Sequence, residues 1–137
     1  MNHNKYESPL SSRYASQEMQ YIFSPDKKFS IWHRLWIALA RAEMELGLPV
    51  TQAQVSQLEE HVDDIDYEAA ARYEKELRHD VMAHIHAYGD QCPDAMPIIH
   101  LGATSCYVGD NTDVIIMREG LLLVRDKLVR VLNNLAK

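Results

Sequence analysis

Residues 110–137 decide the fold, and they read DNTDVIIMREGLLLVRDKLVRVLNNLAK. Apolar residues recur here at alternating spacings of three and four, which is the a and d pattern of a heptad repeat. The residues of this pattern, called the seam below, are Val114, Met117, Leu121, Val124, Leu128, Val131 and Leu135. The spacing predicts one long helix, capped by Asp110 or Asn111, that packs within a helical bundle.

This helix is too long for the rest of the chain to cover. Its roughly 27 residues span about 40 Å at about 1.5 Å per residue, whereas the helices predicted upstream are shorter. A contiguous exposed apolar surface of that size marks an interface or an aggregation hazard. We therefore expect either that copies of the chain associate through the seam or that further sequence covers it.

Capping signals divide the upstream sequence into further helices. Ser24 followed by Pro25 starts the first of them, and Gly47 ends it. The later signals are the capping box of Thr51 and Gln54, the cap candidates Asp64 and Asp66, and a helix from about Asp80 to Tyr88 closed by Gly89. No alternating strand pattern is found, so the sequence predicts an all-α fold. We divide it into an N-terminal helical domain over residues 1–109 and a truncated bundle helix over residues 110–137.

The two tryptophans lie on the apolar face of the first of these helices. Phe29, Trp32, Trp36 and Leu39 recur at spacings of three and four, which places them on one side of the helix. We therefore expect Trp32 and Trp36 to be core residues rather than platforms on which a base stacks.

Composition limits the class of protein. At 137 residues, with 47% hydrophobic and 25% charged residues, the chain has the length and balance of one ordinary globular domain. The formal net charge of -6 argues against a surface that tracks nucleic acid, but it does not exclude a nucleotide-sized anion in a local basic pocket. No stretch has the length and apolarity of a membrane span, and the start lacks a secretory signal. We therefore expect a cytoplasmic protein in which Cys92 and Cys106 are reduced.

Two polar segments stand out against this helical background. Residues 78–84 read RHDVMAH, and residues 100–105 read HLGATS. Together they concentrate a cation, imidazoles, a carboxylate and hydroxyls, the set of groups that holds a small polyanion while protons move. Such groups beside apolar residues incur a desolvation penalty unless each finds a partner. A binding site is therefore favoured over simple packing.

The first segment has two possible interpretations, a binding site and a helix start. Arg78 offers planar donors for phosphate or carboxylate, His79 can donate or carry a proton near neutral pH, and Asp80 can orient an imidazole. In the alternative, the segment is a solvated helix entry where Asp80 caps the next helix and Arg78 pairs with Glu74.

The three histidines of this region, His79, His84 and His86, do not follow a metal-binding pattern. Zinc-binding helices place two ligands four residues apart, whereas these spacings are five and two and fall on different helix faces. We expect His84 to be packed or to support the site, and His86 to lie at the surface.

The second segment places Thr104 and Ser105 directly after Gly102 and Ala103. Glycine lets the backbone approach a ligand closely, and main-chain N–H groups can join the hydroxyls in gripping a carboxylate. No nucleophile elbow or Walker lysine accompanies them, which argues against serine hydrolases and P-loop NTPases. Arg13 and Tyr14, in an irregular N-terminal stretch, are a further donor pair or, alternatively, a surface arginine beside a half-buried tyrosine.

These segments, in this order and with these gaps, resemble a known family. The matching stretches are residues 8–10 (SPL), 13–16 (RYAS), 77–84 (LRHDVMAH) and 98–113 (IIHLGATSCYVGDNTD). They are similar to the adenylosuccinate lyases of the animal type, within the fumarase/aspartase superfamily. The resemblance implies an all-α, homotetrameric enzyme of purine nucleotide synthesis that needs no cofactor. Such an enzyme releases fumarate by β-elimination from adenylosuccinate, giving AMP, and from succinylaminoimidazole carboxamide ribotide.

The resemblance also implies roles for the polar residues. Arg13 and Tyr14 would grip the nucleotide at its phosphate. Arg78, His79 and Asp80 would bind the substrate and orient the reacting groups.

The second segment would hold the other end of the substrate. Thr104 and Ser105 would bind a succinyl or fumarate carboxylate, and His100 would support them. No metal ligand is implied. The catalytic acid, a histidine, and the catalytic base, a serine on a mobile loop, are expected beyond residue 137.

The chain departs from the family in length. Family members are several times longer, and their active sites are assembled from three subunits, so the isolated chain is expected to bind substrate groups but not to catalyse. Two alternatives stay open. One is a non-catalytic module that pairs through the seam with full-length subunits, and the other is a different superfamily lyase, such as one acting on argininosuccinate.

Overall fold

The structure is a computed structural model that describes residues 6–137, and the regular elements among these residues are all helices, with no strand. The α-helices are α1 (Gln17–Ile22), α2 (Pro25–Glu45), α3 (Gln52–Glu60), α4 (Tyr67–Leu77), α5 (Asp80–Gln91) and α6 (Ser105–Leu135). A π-helical turn at Leu10–Tyr14 precedes α1, and a 3-10 turn at Met96–Ile98 lies between α5 and α6. The predicted all-α fold is confirmed.

The helix starts follow the capping signals of the sequence. The hydroxyl of Ser24 accepts from the backbone N–H of Lys27 at 3.2 Å, ahead of Pro25. Thr51 forms the predicted capping box at the start of α3. Of the two candidates for α4, Asp66 is the cap, and its carboxylate accepts from the N–H of Ala69 at 2.8 Å. Local side-chain chemistry therefore sets these three boundaries.

Two predicted boundaries are wrong. The long helix α6 begins at Ser105 rather than after Asp110 or Asn111, and the Asn111 side-chain amide donates to the carbonyl of Tyr107, one turn back inside the helix, at 2.7 Å instead of capping a helix start. Helix α5 continues past Gly89 to Gln91. A Cβ atom at Gly89 would lie 2.6 Å from Cγ of Met96, so this glycine permits close packing rather than ending the helix.

The described residues fall into two compact units. One unit consists of Phe29–Thr112, and the other combines the chain up to Lys28 with the chain from Asp113 onward. The polar segments at residues 78–84 and 100–105 both belong to the Phe29–Thr112 unit.

Aromatic residues form the centre of the Phe29–Thr112 unit. Trp32, Trp36 and Tyr88 are each 1% exposed, which confirms both tryptophans as core residues. The largest other side chains that are fully buried are Leu58, Val55, Val108, Thr112 and Cys92. These residues come from α2, α3, α5, the loop after α5 and the start of α6. The core thus anchors the elements on either side of both polar segments.

The other unit pairs α1 and the start of α2 with most of α6. The Lys27 ammonium lies 3.0 Å from the Glu119 carboxylate, and the ring of Phe23 lies against Gly120. The seam is exposed, with Leu121 71% and Leu135 79% accessible. The apolar pattern that predicts a bundle is therefore present on α6, and within this chain it is open to solvent.

His33 is a buried titratable group of the core. It is 3% exposed, its Nδ1–H donates to the carbonyl of Val62 at 3.1 Å, and its ring stacks on Tyr88 with centroids 3.6 Å apart. Burial lowers the pKa of His33 to about 4, and the neighbouring His84 contributes to the lowering. The ring is therefore neutral in the folded chain and titrates near its ordinary value only after unfolding.

We expect acid to destabilise this unit through His33. Because the folded pKa lies below the unfolded one, its contribution is complete above about pH 6.5 and is lost as pH falls toward about 4. The loss amounts to about 3 kcal/mol in the free energy of unfolding, measurable by urea unfolding at several pH values. His33→Gln should flatten this dependence, whereas His86→Gln, at a less buried position, should not. An equally steep acid dependence in His33→Gln would contradict the assignment.

Candidate functional site

The first polar segment lies at the corner between α4 and α5. Arg78 ends α4 in the left-handed conformation, with φ of 56°, which costs a non-glycine residue about 1 kcal/mol. Its backbone N–H donates to the carbonyl of Glu74 at 2.8 Å, but within residues 6–137 its exposed guanidinium forms no ion pair. The predicted alternative, a salt bridge to Glu74, is therefore wrong, and the guanidinium is available to a ligand.

His79, not Asp80, caps α5. The Nδ1 atom of His79 accepts from the backbone N–H of Met82 at 3.3 Å, and Asp80 is the first helical residue, where its carboxylate accepts from the N–H of Val81 at 2.8 Å. A backbone N–H can only donate, so Nδ1 carries no proton and Nε2 of His79 is the protonated nitrogen. Since the Asp80 carboxylate lies 3.7 Å from Nδ1, we regard the cap as the dominant contact.

The second polar segment leads into the N-terminus of α6. His100 and Gly102 both have φ of 66°, and the N–H of Ala103 donates to the carbonyl of His100 at 3.2 Å. This turn places Thr104, which is exposed, directly before α6 and Ser105, which is partly exposed, at its first residue. The first N–H groups of a helix lack intrahelical partners, and the helix dipole there favours negative charge. The predicted hydroxyls therefore lie where a carboxylate is stabilised.

His100 is held by a side chain of α2. Its Nδ1 accepts from the indole N–H of Trp36 at 3.0 Å. Burial, followed by the charge of the His79 ring, lowers the pKa of His100. The Trp36 contact thus ties the turn of the second polar segment to α2.

A buried carboxyl lies beside this turn and was missed at the sequence level. Glu43 is 7% exposed, and its Oε2 has no hydrogen-bond partner among residues 6–137. A Cβ added to Gly102 would lie 3.6 Å from its Oε1, and burial raises the pKa of Glu43. The signal was available, because Glu43 follows Trp36 by seven residues and so falls on the buried face of α2.

The remaining predicted residues lie apart from this turn or in the other unit. The Arg13 guanidinium lies over the ring of Tyr14 at 5.4 Å, and both side chains are exposed in the π-helical turn. His84 packs in the core, where it stacks on Phe29 at 3.8 Å, as expected. Binding by Arg13 and Tyr14 stays a prediction.

Among residues 6–137, no group of three or more His, Cys, Asp or Glu side chains is placed to hold a metal ion. Within the same residues, no helix has both the length and the apolarity needed to cross a membrane. Cys92 is buried, Cys106 is exposed, and both thiols are free.

Curated proteins with similar sequences cover nearly the whole chain. Proteins named adenylosuccinate lyase from Saccharomyces cerevisiae and Schistosoma mansoni are 50% and 46% identical over 99% and 97% of this chain, and the matches span 29% and 28% of those proteins. One from Methanothermobacter thermautotrophicus is 32% identical over 93% of the chain and 29% of its own length. The chain belongs to the adenylosuccinate lyase family. No protein-family model matches it.

Membership of the adenylosuccinate lyase family confirms the resemblance carried by the polar segments, and the two alternatives, a non-catalytic module and an argininosuccinate lyase, are not favoured. The chain spans between a quarter and a third of the length of the curated adenylosuccinate lyases it matches. These proportions agree with the prediction of an N-terminal portion.

We expect Glu43→Gln to stabilise the chain at neutral pH. Burial raises the folded pKa of Glu43, so its carboxylate is penalised as pH rises through that value, and removing the charge should increase the free energy of unfolding. Thermal unfolding at about pH 7.5 and about pH 4 measures the effect, which should shrink at the lower pH. Glu45→Gln, an exposed change on the same helix, is the control. A less stable Glu43→Gln would mean that a partner stabilises the buried charge.

Proposed function

We propose that this chain provides substrate-binding residues of an adenylosuccinate lyase that releases fumarate from adenylosuccinate and from succinylaminoimidazole carboxamide ribotide. The observation that supports the proposal is the sequence relation, over nearly the whole chain, to proteins named adenylosuccinate lyase, together with the exposed Thr104 and the partly exposed Ser105 at the N-terminus of α6. The donors of the two polar segments have the charge and polarity needed by a substrate rich in carboxylates and phosphate.

The reaction determines what these donors do. A base removes a proton from the carbon next to a carboxylate, the carbon–nitrogen bond breaks, and an acid protonates the departing nitrogen. Negative charge builds on the carboxylate in the intermediate, so donors held in place before the reaction lower the barrier. We assign this work to Thr104, Ser105 and the N–H groups at the start of α6.

The other predicted residues bind the remaining groups. Arg78, whose guanidinium is exposed at the α4–α5 corner, supplies positive charge, and His79 supplies a neutral donor through Nε2. Asp80 orients the reacting groups, while Arg13 and Tyr14 bind the nucleotide phosphate. The proton-transfer acid and base come from sequence outside these residues.

We also propose that the active protein is a homotetramer assembled through α6. The exposed seam supports this proposal, since a helix with this many accessible apolar residues needs partners on its flanks. Assembly would also bring the binding residues of this chain to sites completed by neighbouring subunits.

Replacing the matching segment of the Saccharomyces cerevisiae relative by this chain tests the binding role. The chimera should cleave adenylosuccinate, followed by the change in ultraviolet absorbance, whereas the 137-residue chain alone should not. Arg78→Gln should lower kcat/KM about 10- to 100-fold, because a hydrogen bond from a charged group is lost. Arg72→Gln, on the same helix and 3.8 Å from Asp90 in an exposed pair, should change it less than about twofold. Equal effects of both changes would contradict a site at the corner.

Changing the seam tests the assembly. We expect the chain to self-associate, and the double variant Leu121→Glu and Leu128→Glu to remain monomeric, because charges at the seam cannot be buried unpaired. Sedimentation velocity across a range of concentrations measures this. Leu46→Glu changes a residue that is more exposed, at 79% against 71% for Leu121 and 56% for Leu128, but lies outside α6, and it should leave association unaltered. A chain that stays monomeric without any substitution would contradict the proposal.

A further inference from the structure

Trp36 connects the core of the Phe29–Thr112 unit to the candidate site. Its side chain is 1% exposed, and its indole N–H donates to Nδ1 of His100 at 3.0 Å. The two rings meet edge-on, with centroids 6.2 Å apart and planes at 84°. A polar contact thus runs from the buried face of α2 to the turn that precedes Thr104 and Ser105.

This contact fixes which nitrogen of His100 carries the proton. An indole nitrogen can only donate a hydrogen bond, so Nδ1 of His100 must be the unprotonated nitrogen, and the proton of the neutral ring lies on Nε2. The N–H of Met82 imposes the same arrangement on His79. Both imidazoles therefore keep Nε2–H as a donor, the polarity that a carboxylate or phosphate requires.

Control of the tautomer matters because the His100 ring is neutral. Burial and the His79 ring lower its pKa, and Glu43 and Tyr107 are further titratable groups near this turn. A neutral imidazole has two tautomers, and an unrestrained ring can present a lone pair that repels an anion. An indole N–H can only donate, so its hydrogen bond to Nδ1 excludes the tautomer in which Nε2 carries a lone pair.

We propose that Trp36 is a positioning residue: its indole N–H holds the His100 ring so that Nε2–H, and not a lone pair, is offered to the carboxylate or phosphate of the substrate. Trp36 itself need not touch the substrate. The inference rests on the proposed function, because it takes His100 to contribute to that site.

A matched change at Trp32 distinguishes this positioning role from ordinary core packing. It is also 1% exposed, lies one turn earlier on α2 and, with Trp36, makes up the two tryptophans of the chain. Trp32→Phe and Trp36→Phe therefore remove the same group from comparable surroundings. A purely structural role predicts that both changes lower stability and leave the His100 tautomer unaltered.

The decisive measurement is the protonation of the imidazole nitrogens in the full 137-residue chain, read from long-range proton–nitrogen correlation spectra of the chain labelled with nitrogen-15. We expect a single His100 tautomer, protonated at Nε2, in the unsubstituted chain and in Trp32→Phe. In Trp36→Phe we expect signals averaged between the two tautomers and an upward move of the His100 pKa. An unchanged Nε2 tautomer in Trp36→Phe would overturn the proposal.

A second measurement does not depend on how well a variant folds. In the unsubstituted chain, a nitrogen–nitrogen coupling across the hydrogen bond should connect Nε1 of Trp36 to Nδ1 of His100. A spectrum with well-resolved signals from both residues and no such coupling would also overturn the proposal, whatever Trp36→Phe does.

Kinetics of the chimera described above complete the test. Trp36→Phe should lower kcat/KM for adenylosuccinate about tenfold, as expected when a donor is misplaced, and should shift the acidic limb of the pH profile, whereas Trp32→Phe should do neither. A changed tautomer with unchanged kinetics would overturn the role of Trp36 in substrate binding while leaving the proposed function intact. A chimera that is inactive without any substitution would instead overturn the proposed function itself.

Discussion

The hydrogen bond from the Trp36 indole to His100 ties the site to the core. Trp36 is held by the aromatic centre of the Phe29–Thr112 unit, with Trp32 and Tyr88 close by. Because interiors are packed as densely as organic crystals, a ring held in this way has little freedom to move. The packed core thereby helps to fix the orientation of the His100 side chain. Without this contact, the turn that carries His100 would depend on its own backbone.

The histidines of the two polar segments, His79 and His100, are oriented by different means toward the same result. His79 is held by a backbone N–H at the start of α5, and His100 by a buried side chain of α2. Neither the backbone N–H nor the indole N–H can accept a hydrogen bond, so both rings present a proton at Nε2. Around them, Arg78 and His100 have left-handed backbones, and strain of this kind is typical of functional sites. The two polar segments therefore each combine a preset donor with backbone strain that the surrounding packing maintains.

Much of the fold could be read from the sequence because short-range chemistry sets it. Ser24, Thr51 and Asp66 cap the helices that they precede, and the spacing of Trp32 and Trp36 identified the core. The errors at Gly89 and Asn111 have a different origin. Position 89 needs a glycine because Met96 packs against it from another element. Asn111 bonds a carbonyl within its own helix. Neither contact can be distinguished from a helix end without the structure.

The sequence predicted which residue types make up the candidate site, but not the hydrogen bonds that orient their side chains. The sequence marked His79 and His100 as chemically unusual, yet the nitrogen that carries the proton depends on Trp36 and Met82, which look like ordinary apolar residues. Similarly, Asp80 has the chemistry of a cap, but the chain turns one residue earlier and His79 takes that place.

The close approach of Gly89 to Met96 has a consequence for genetic variation. Met96 begins the 3-10 turn that ends at Ile98, two residues before His100, and a methyl group at position 89 would have to displace its side chain. An inherited change from glycine to alanine at this buried position would force the Met96 side chain to move. Such an allele would act from inside the core on the turn that leads to His100.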